Sequence, residues 1–171
     1  RMVDRLRGQF EEHARHLETL SGEAYRDPLT GLANRRSFEM RVCARLADEE
    51  AVQHGFLAVL RIRDLAGLNR RLGGEPVDSL ICNLATLLRE RCAGLTQPAL
   101  LARVRGGEFA LLLPGLLSDE AEALAEQLQT DLDNLHAATR EGALAHLGLV
   151  PFAAGDNLQT LMRLADEALA G

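Results

Sequence analysis

The chain has 171 residues, of which 47% are apolar and 26% are charged, and its formal net charge is −6. This composition is typical of a single globular domain, so it excludes a disordered chain, and the acidic balance excludes a non-specific nucleic-acid binder. All nineteen basic residues are arginine, which excludes Schiff-base or general-base chemistry by lysine.

Residues 2–25 have the apolar spacing of a coiled-coil helix. The narrow seam favours a parallel pairing with a second copy over a helix folded back on its own domain. The Asp27-Pro28 step ends the helix, because proline disfavours helical geometry in the residue before it. We therefore predict a dimerising helix over residues 1–26 and a globular domain over residues 27–171. The seam positions are Val3, Leu6, Phe10, His13, Leu17, Leu20 and Ala24.

Helix and strand patterns alternate through the rest of the chain. Ser37 and Ser118 are predicted to cap two of the helices. The Gly106-Gly107 pair between two apolar runs predicts a hairpin turn. The order of elements favours an α+β sandwich with a central, mainly antiparallel sheet. The predicted helices span about 37–50, 75–88, 118–136 and 157–169, and the predicted strands span 56–62, 100–104, 109–113 and 143–150.

The cysteines and the apolar runs bear on the cellular compartment. Cys43, Cys82 and Cys92 are an odd number without a CxxC pair, which predicts buried thiols in a reducing compartment. No apolar run approaches the length of about 18 residues that a membrane span needs, and the N-terminus does not resemble a signal peptide. We expect a cytoplasmic domain that makes no direct membrane contact.

Several segments resemble the GGDEF family, the diguanylate cyclase fold. The resemblance covers residues 27–171 and implies the family's nucleotidyl-cyclase-like sandwich. In active members, carboxylates of the first strand and of the hairpin hold Mg²⁺ against GTP. The matching segments are the opening DPLTGLANRR at 27–36, the hairpin RVRGGEFALLLP at 103–114, the closing ADEAL at 165–169, and Asn69 and Asp78 between them.

The chain departs from the family at the implied metal ligands. Arg61 and Arg63 replace the two aspartates of the first strand, and Gly107 replaces the catalytic acid of the hairpin. Glu108 alone does not replace the lost carboxylates, and a cationic side chain at position 61 repels a metal ion. We therefore expect no metal, no cofactor and no catalysis. The degenerate hairpin motif consists of Arg105, Gly106, Gly107, Glu108 and Phe109.

Two further family positions concern nucleotides. Asn69 and Asp78 fall where the resemblance implies contacts to guanine, which leaves open a weak binding of GTP; the alternative is a turn residue and a solvated helical acid. The positions of the family's inhibitory cyclic di-GMP site are occupied here by residues 96–99, TQPA, so we expect no product binding there.

The RGGEF string resembles LapD-type receptors. That resemblance implies an inactive, dimerising and autoinhibitory signal relay in a bacterial inner-membrane protein of biofilm signalling, with an EAL domain outside this chain that binds cyclic di-GMP. The alternative is a GTP-sensing module that controls an attached EAL phosphodiesterase. Arg61, Arg63 and Arg105 are candidates to dock an acidic surface of a partner domain during autoinhibition; the alternative is that they are solvated strand ends.

Overall fold

The computed structural model describes residues 22–51, 54–136 and 144–170. Most of the predicted dimerising helix therefore lies outside the described residues. Only its last turn is described, as helix α1 (Gly22–Tyr25), and Ala24 is the one seam position in that turn. The helical pairing thus stays a prediction.

A five-stranded sheet forms the centre of the domain. Its spatial order is β1-β3-β4-β2-β5, in which β1 runs parallel to β3 and the other neighbouring strands are antiparallel. The predicted mainly antiparallel sheet is confirmed. The strands are β1 (Ala33–Asn34), β2 (Gly55–Ile62), β3 (Leu100–Arg105), β4 (Glu108–Pro114) and β5 (Ala145–Phe152). The other helices are α2 (Arg35–Ala47), α3 (Leu65–Leu72), α4 (Gly74–Cys92), α5 (Ser118–His136) and α6 (Leu158–Ala170).

Helices cover both faces of the sheet, which explains the continuous apolar runs of β2 and β4. Successive side chains of a strand point to opposite faces, so each run supplies two cores. Leu60 and Leu111 belong to the core that includes α4 and α5, whereas Leu57 and Leu112 belong to the core that includes α2 and α6. By the same alternation, Arg61 is expected on the α2 and α6 face.

Two predicted helix caps are wrong. Helix α2 is capped by Asn34, whose side-chain oxygen accepts a 2.9 Å hydrogen bond from the Ser37 amide, and Ser37 itself is buried inside the first turn. Ser118 is the first residue of α5. The Leu117 amide before it donates to Glu120 Oε1 at 3.1 Å. The cap position lies three residues before Ser37 in α2 and one residue before Ser118 in α5.

Two elements were not predicted from the sequence. Helix α3 follows Asp64, which adopts a left-handed conformation (φ 50°, ψ 58°) and accepts a 3.1 Å hydrogen bond from the Gly67 amide. Strand β1 has only two residues and pairs with β3. Neither element carries a run of apolar residues long enough to indicate it.

The three thiols differ in environment. Cys92 is buried, and burial raises its pKa to about 11, which makes it an unreactive thiol. Cys82 is half-buried and its Sγ lies 3.4 Å from the Leu29 carbonyl oxygen, whereas Cys43 is exposed. The prediction of buried thiols is therefore wrong for Cys43, because that residue lies on the solvent side of α2. Within the described residues, no helix is long and apolar enough to cross a bilayer.

Candidate functional site

The hairpin of β3 and β4 is fixed to the end of β2. Arg105 faces Glu108 across the tip, and the pairing is irregular between Arg103 and Arg105. The Ile62 amide donates a 2.8 Å hydrogen bond to the Gly107 carbonyl oxygen. The tip therefore lies against the last residue of β2.

Gly107 lies close to two apolar side chains. Neither Gly106 nor Gly107 has a positive φ, so the turn is not of the mirror-image type that Gly-Gly pairs favour. A Cβ atom on Gly107 would lie 3.1 Å from Ile62 Cβ and 3.3 Å from Leu65 Cδ2. A side chain at this position would require Ile62 or Leu65 to shift by a few tenths of an ångström.

Arg61 links the hairpin to the last helix. Its Nε donates to Glu108 Oε2 at 3.2 Å, and its Nη2 donates to Asp166 Oδ1 at 3.0 Å. The Glu108 side chain is only 9% exposed, whereas those of Arg61 and Asp166 are 46% and 48% exposed. The guanidinium thus compensates the charge of a buried carboxylate and reaches a second carboxylate on α6. The sequence placed Arg61 in a strand and Glu108 in the hairpin, but it did not reveal that Arg61 also contacts Asp166.

This arrangement does not fit the Mg²⁺ that the family resemblance implies. Mg²⁺ requires several hard oxygen ligands in near-octahedral geometry. Here a cationic side chain stands between the two carboxylates, and Gly107 supplies no side chain. In the parts of the chain that the structure describes, no three Asp, Glu, His or Cys side chains come together as a metal site.

The three arginines that the sequence groups together do not form one surface. Arg61 is engaged by Glu108 and Asp166. Arg63 is exposed beyond the end of β2, and its amide donates to the Leu144 carbonyl oxygen at 2.9 Å. Arg105 instead lines a separate pocket with Arg36 and Arg103, a grouping that sequence analysis missed.

The two candidate guanine contacts lie on neighbouring helices. Asp78 is exposed on α4 and lines an open pocket of about 450 Å³ with Glu75, Ser79 and Cys82. Asn69 is exposed on α3 and does not line that pocket. The structure therefore places Asp78 at a cavity and does not bring Asn69 into the same lining.

The opening segment of the domain forms a hydrogen-bonded turn. The Asp27 carboxylate accepts from the Thr30 amide at 2.8 Å and from the Thr30 hydroxyl at 2.7 Å, and Arg103 Nη1 reaches it at 3.2 Å. Burial raises the pKa of Asp27, but the hydrogen bonds from Thr30 and the charge of Arg103 outweigh burial and hold the pKa below its usual value. This turn joins the start of the domain to β3.

Comparison with known proteins gives a family match and several relatives. Residues 24–171 match the family described as diguanylate cyclase, GGDEF domain. The chain is 31% identical to the RNase E specificity factor CsrD of Escherichia coli K12, over 98% of this chain and 26% of that protein.

Solved structures share the fold over nearly the whole chain. The coiled coil and GGDEF domain of DgcB from Caulobacter crescentus, in complex with c-di-GMP, has a TM-score of 0.77 at 27% identity and covers 99% of this chain and 91% of that one. The S helix-GGDEF-EAL chain of Vibrio cholerae LapD, bound to c-di-GMP, has a TM-score of 0.73 at 26% identity and covers 94% of this chain and 37% of that one. The chain thus spans about a quarter of the length of CsrD and just over a third of the LapD chain.

Proposed function

The chain belongs to the GGDEF family of diguanylate cyclase domains, and we propose that it is a non-catalytic member that relays a signal inside a cyclic di-GMP receptor. The observation that carries this proposal is the position of Arg61. The family resemblance implies a metal-binding carboxylate at position 61, and here a guanidinium lies 3.2 Å from Glu108 and 3.0 Å from Asp166. The positive charge that these carboxylates require is supplied by the chain itself.

Electrostatics supports the absence of a metal-dependent reaction. A divalent cation about 5 Å from the Arg61 charge would meet a repulsion of about 7 kcal/mol at an effective dielectric constant near 20. Gly107 offers no carboxylate to offset this cost, and Ile62 and Leu65 crowd the space where one would begin. Metal binding would also have to displace Arg61 from Glu108.

The proposal of a signal relay is based on the segments that accompany the GGDEF domain in similar structures. The similar LapD chain contains an S helix, a GGDEF domain and an EAL domain, and the similar DgcB structure contains a coiled coil and a GGDEF domain. We propose a homodimer through the helix over residues 1–26 and an autoinhibitory contact with an EAL domain of the same full-length protein. That protein would be an inner-membrane receptor whose EAL domain binds the dinucleotide.

A second candidate function is a GTP-sensing module that regulates an attached EAL phosphodiesterase. The pocket at Asp78 favours it, because a family guanine position there lines a cavity of about 450 Å³. Such binding would occur without metal and without turnover.

Calorimetry with GTP separates these functions from catalysis. The chain is titrated with GTP in Mg²⁺ and again in EDTA, and each mixture is assayed for cyclic di-GMP; an active diguanylate cyclase serves as the positive control. A relay gives no product and no binding that depends on Asp78. Saturable binding in EDTA that Asp78→Asn abolishes would support GTP sensing instead. Formation of cyclic di-GMP by the chain would overturn the non-catalytic proposal.

The proposed dimer has its own test in sedimentation equilibrium. Leu17→Glu places a charge in the predicted seam, whereas Arg15→Glu changes a position outside it. We expect the unaltered chain and the Arg15→Glu variant to sediment as dimers and the Leu17→Glu variant as a monomer. A monomeric unaltered chain would contradict the proposed pairing.

A further inference from the structure

A second concave surface lies beside the hairpin, where α1, the start of α2 and the end of β3 meet. It is an open pocket of about 480 Å³. Four arginines line it, and Asp27 is the one acidic residue of the lining: they are Arg35, Arg36, Arg103 and Arg105. The pocket is thus a local concentration of positive charge in a chain of net charge −6.

Two of the four arginines are already neutralised. Arg103 contacts Asp27 at 3.2 Å, and Arg35 pairs with Glu39 at 2.9 Å.

Two charges therefore remain. Arg36 lies over the ring of Tyr25, at 5.7 Å from its centroid, and this contact leaves its charge uncompensated. Arg105 is exposed at the hairpin. Within the described residues, neither Arg36 nor Arg105 forms an ion pair, so the pocket holds about two uncompensated positive charges.

We propose that this pocket binds the phosphate group of a small phosphorylated ligand. A phosphate monoester carries a charge of about −1.5 to −2 at neutral pH, which matches the two uncompensated arginines. The planar guanidinium presents its N–H groups in a fork that fits phosphate oxygens, so Arg36 and Arg105 each supply directed donors as well as charge.

Size and lining favour a small ligand over an acidic protein segment. The volume lies within the range of about 300–1,000 Å³ that is typical of small-molecule sites. Ala24 and Val104 contribute apolar surface for the part of the ligand that carries no charge. A single carboxylate of a peptide would neutralise only one of the two arginines.

Calorimetry of the 171-residue chain with inorganic pyrophosphate and with a nucleoside monophosphate, both in EDTA, tests this site. The double variant R36A/R105A removes the two uncompensated charges. The matched control R63A/R70A removes two exposed arginines that do not line the pocket. We expect saturable binding that weakens about tenfold or more in R36A/R105A and changes less than about twofold in R63A/R70A. Circular dichroism verifies that both variants fold.

Further binding measurements identify the class of ligand and the site that it occupies. The affinity for pyrophosphate is expected to fall as salt increases and to be unaffected by Asp78→Asn, which separates this pocket from the proposed GTP site. Inorganic phosphate is titrated in the same way, and tighter binding of the monophosphate than of inorganic phosphate would support a ligand that also uses Ala24 and Val104. Binding of a hexaglutamate peptide without binding of pyrophosphate would overturn the proposal in favour of an acidic protein partner. Equal loss of affinity in both double variants would also overturn it.

Discussion

The guanidinium of Arg61 contacts two carboxylates that differ in burial. The Glu108 side chain is 9% exposed and that of Asp166 is 48% exposed, although the two contacts are of similar length. Water screens the contact to Asp166 and competes for its oxygens, whereas Glu108 has little access to water. The contact of Arg61 with Glu108 should therefore contribute more to stability than its contact with Asp166.

Double-mutant cycles measure this difference. We expect the coupling free energy between Arg61→Met and Glu108→Gln to be about 1–2 kcal/mol in urea unfolding, because a charged hydrogen bond at a buried carboxylate is lost. The coupling between Arg61→Met and Asp166→Asn should be below about 0.5 kcal/mol, as for exposed pairs. Equal couplings would contradict the conclusion that burial of Glu108 sets the strength of the bridge.

Asp64 is a second residue whose role depends on local geometry. It caps α3 from a left-handed conformation that costs a non-glycine residue free energy, and its carboxylate holds the Gly67 amide at 3.1 Å. Asp64→Ala should lower the free energy of unfolding by about 1–2 kcal/mol, since it loses the cap and keeps the strain. Asp64→Asn is the control, because asparagine caps helices and tolerates this conformation. If Asp64→Asn lowered the free energy of unfolding as much as Asp64→Ala, the capping role would be contradicted.

At the scale of elements, the long patterns were predicted well and the short ones were not. Strand β2 and helix α5 were predicted closely, because an apolar run or a helical stripe extends over their whole length. Helix α3 was missed, since its eight residues include Gly67 and consecutive arginines and its start depends on the conformation of Asp64. Short elements take their stability from neighbours that the local sequence does not identify.

The contacts of the candidate site were likewise predicted only in part. The register of β2 against β4 places Arg61 opposite Glu108. The family resemblance implies that these positions are close, because it assigns the first strand and the hairpin to one metal site. The contact with Asp166 requires α6 to pack beside β2, and the arginine pocket requires residues near 24–36 to meet the end of β3. These contacts join segments far apart in the chain, so spacing alone does not predict them.

The turn at Asp27 provides a pH prediction for the connection between the first segment and β3. The folded-state pKa of Asp27 is lowered, so its contribution to stability is present above the unfolded pKa of about 3.9 and is lost as the pH falls through the lower folded pKa. Removing the carboxylate with Asp27→Asn should destabilise the domain at pH 7 and flatten the decline of stability below about pH 4. Urea unfolding from pH 7 to pH 3 measures both effects. Parallel pH profiles of the two proteins would contradict the assignment.

At the scale of the whole molecule, the position of β2 in the sheet allows Arg61 to contact two parts of the chain that are distant in sequence. β2 lies between β4 and β5, and the α6 helix packs on one of its faces. A side chain at the end of this strand therefore contacts both the hairpin and the helix that ends the described chain. A change at position 61 alters two parts of the fold that are separate in sequence.

Replacement of Arg61 by aspartate should make the stability of the whole domain depend on Mg²⁺. In the unaltered chain the guanidinium already balances Glu108 and Asp166, so Mg²⁺ should leave the melting temperature unchanged beyond the effect of ionic strength. Arg61→Asp would place a third carboxylate beside them, and the mutual repulsion should lower Tm in EDTA. A metal that binds only the folded state at about 100 times its Kd adds about 2.7 kcal/mol, which corresponds to a recovery of about 5–10 °C.

Thermal unfolding in Mg²⁺ and in NaCl of equal ionic strength measures this recovery. Arg63→Asp is the matched control, because it makes the same charge change two residues away without touching Glu108 or Asp166. We expect Tm of the control to be equal in the two salts. If Mg²⁺ raised Tm of the unaltered chain as much as that of Arg61→Asp, the guanidinium would not be what excludes the metal. The unaltered domain would then retain a cation site even though it has arginine at position 61.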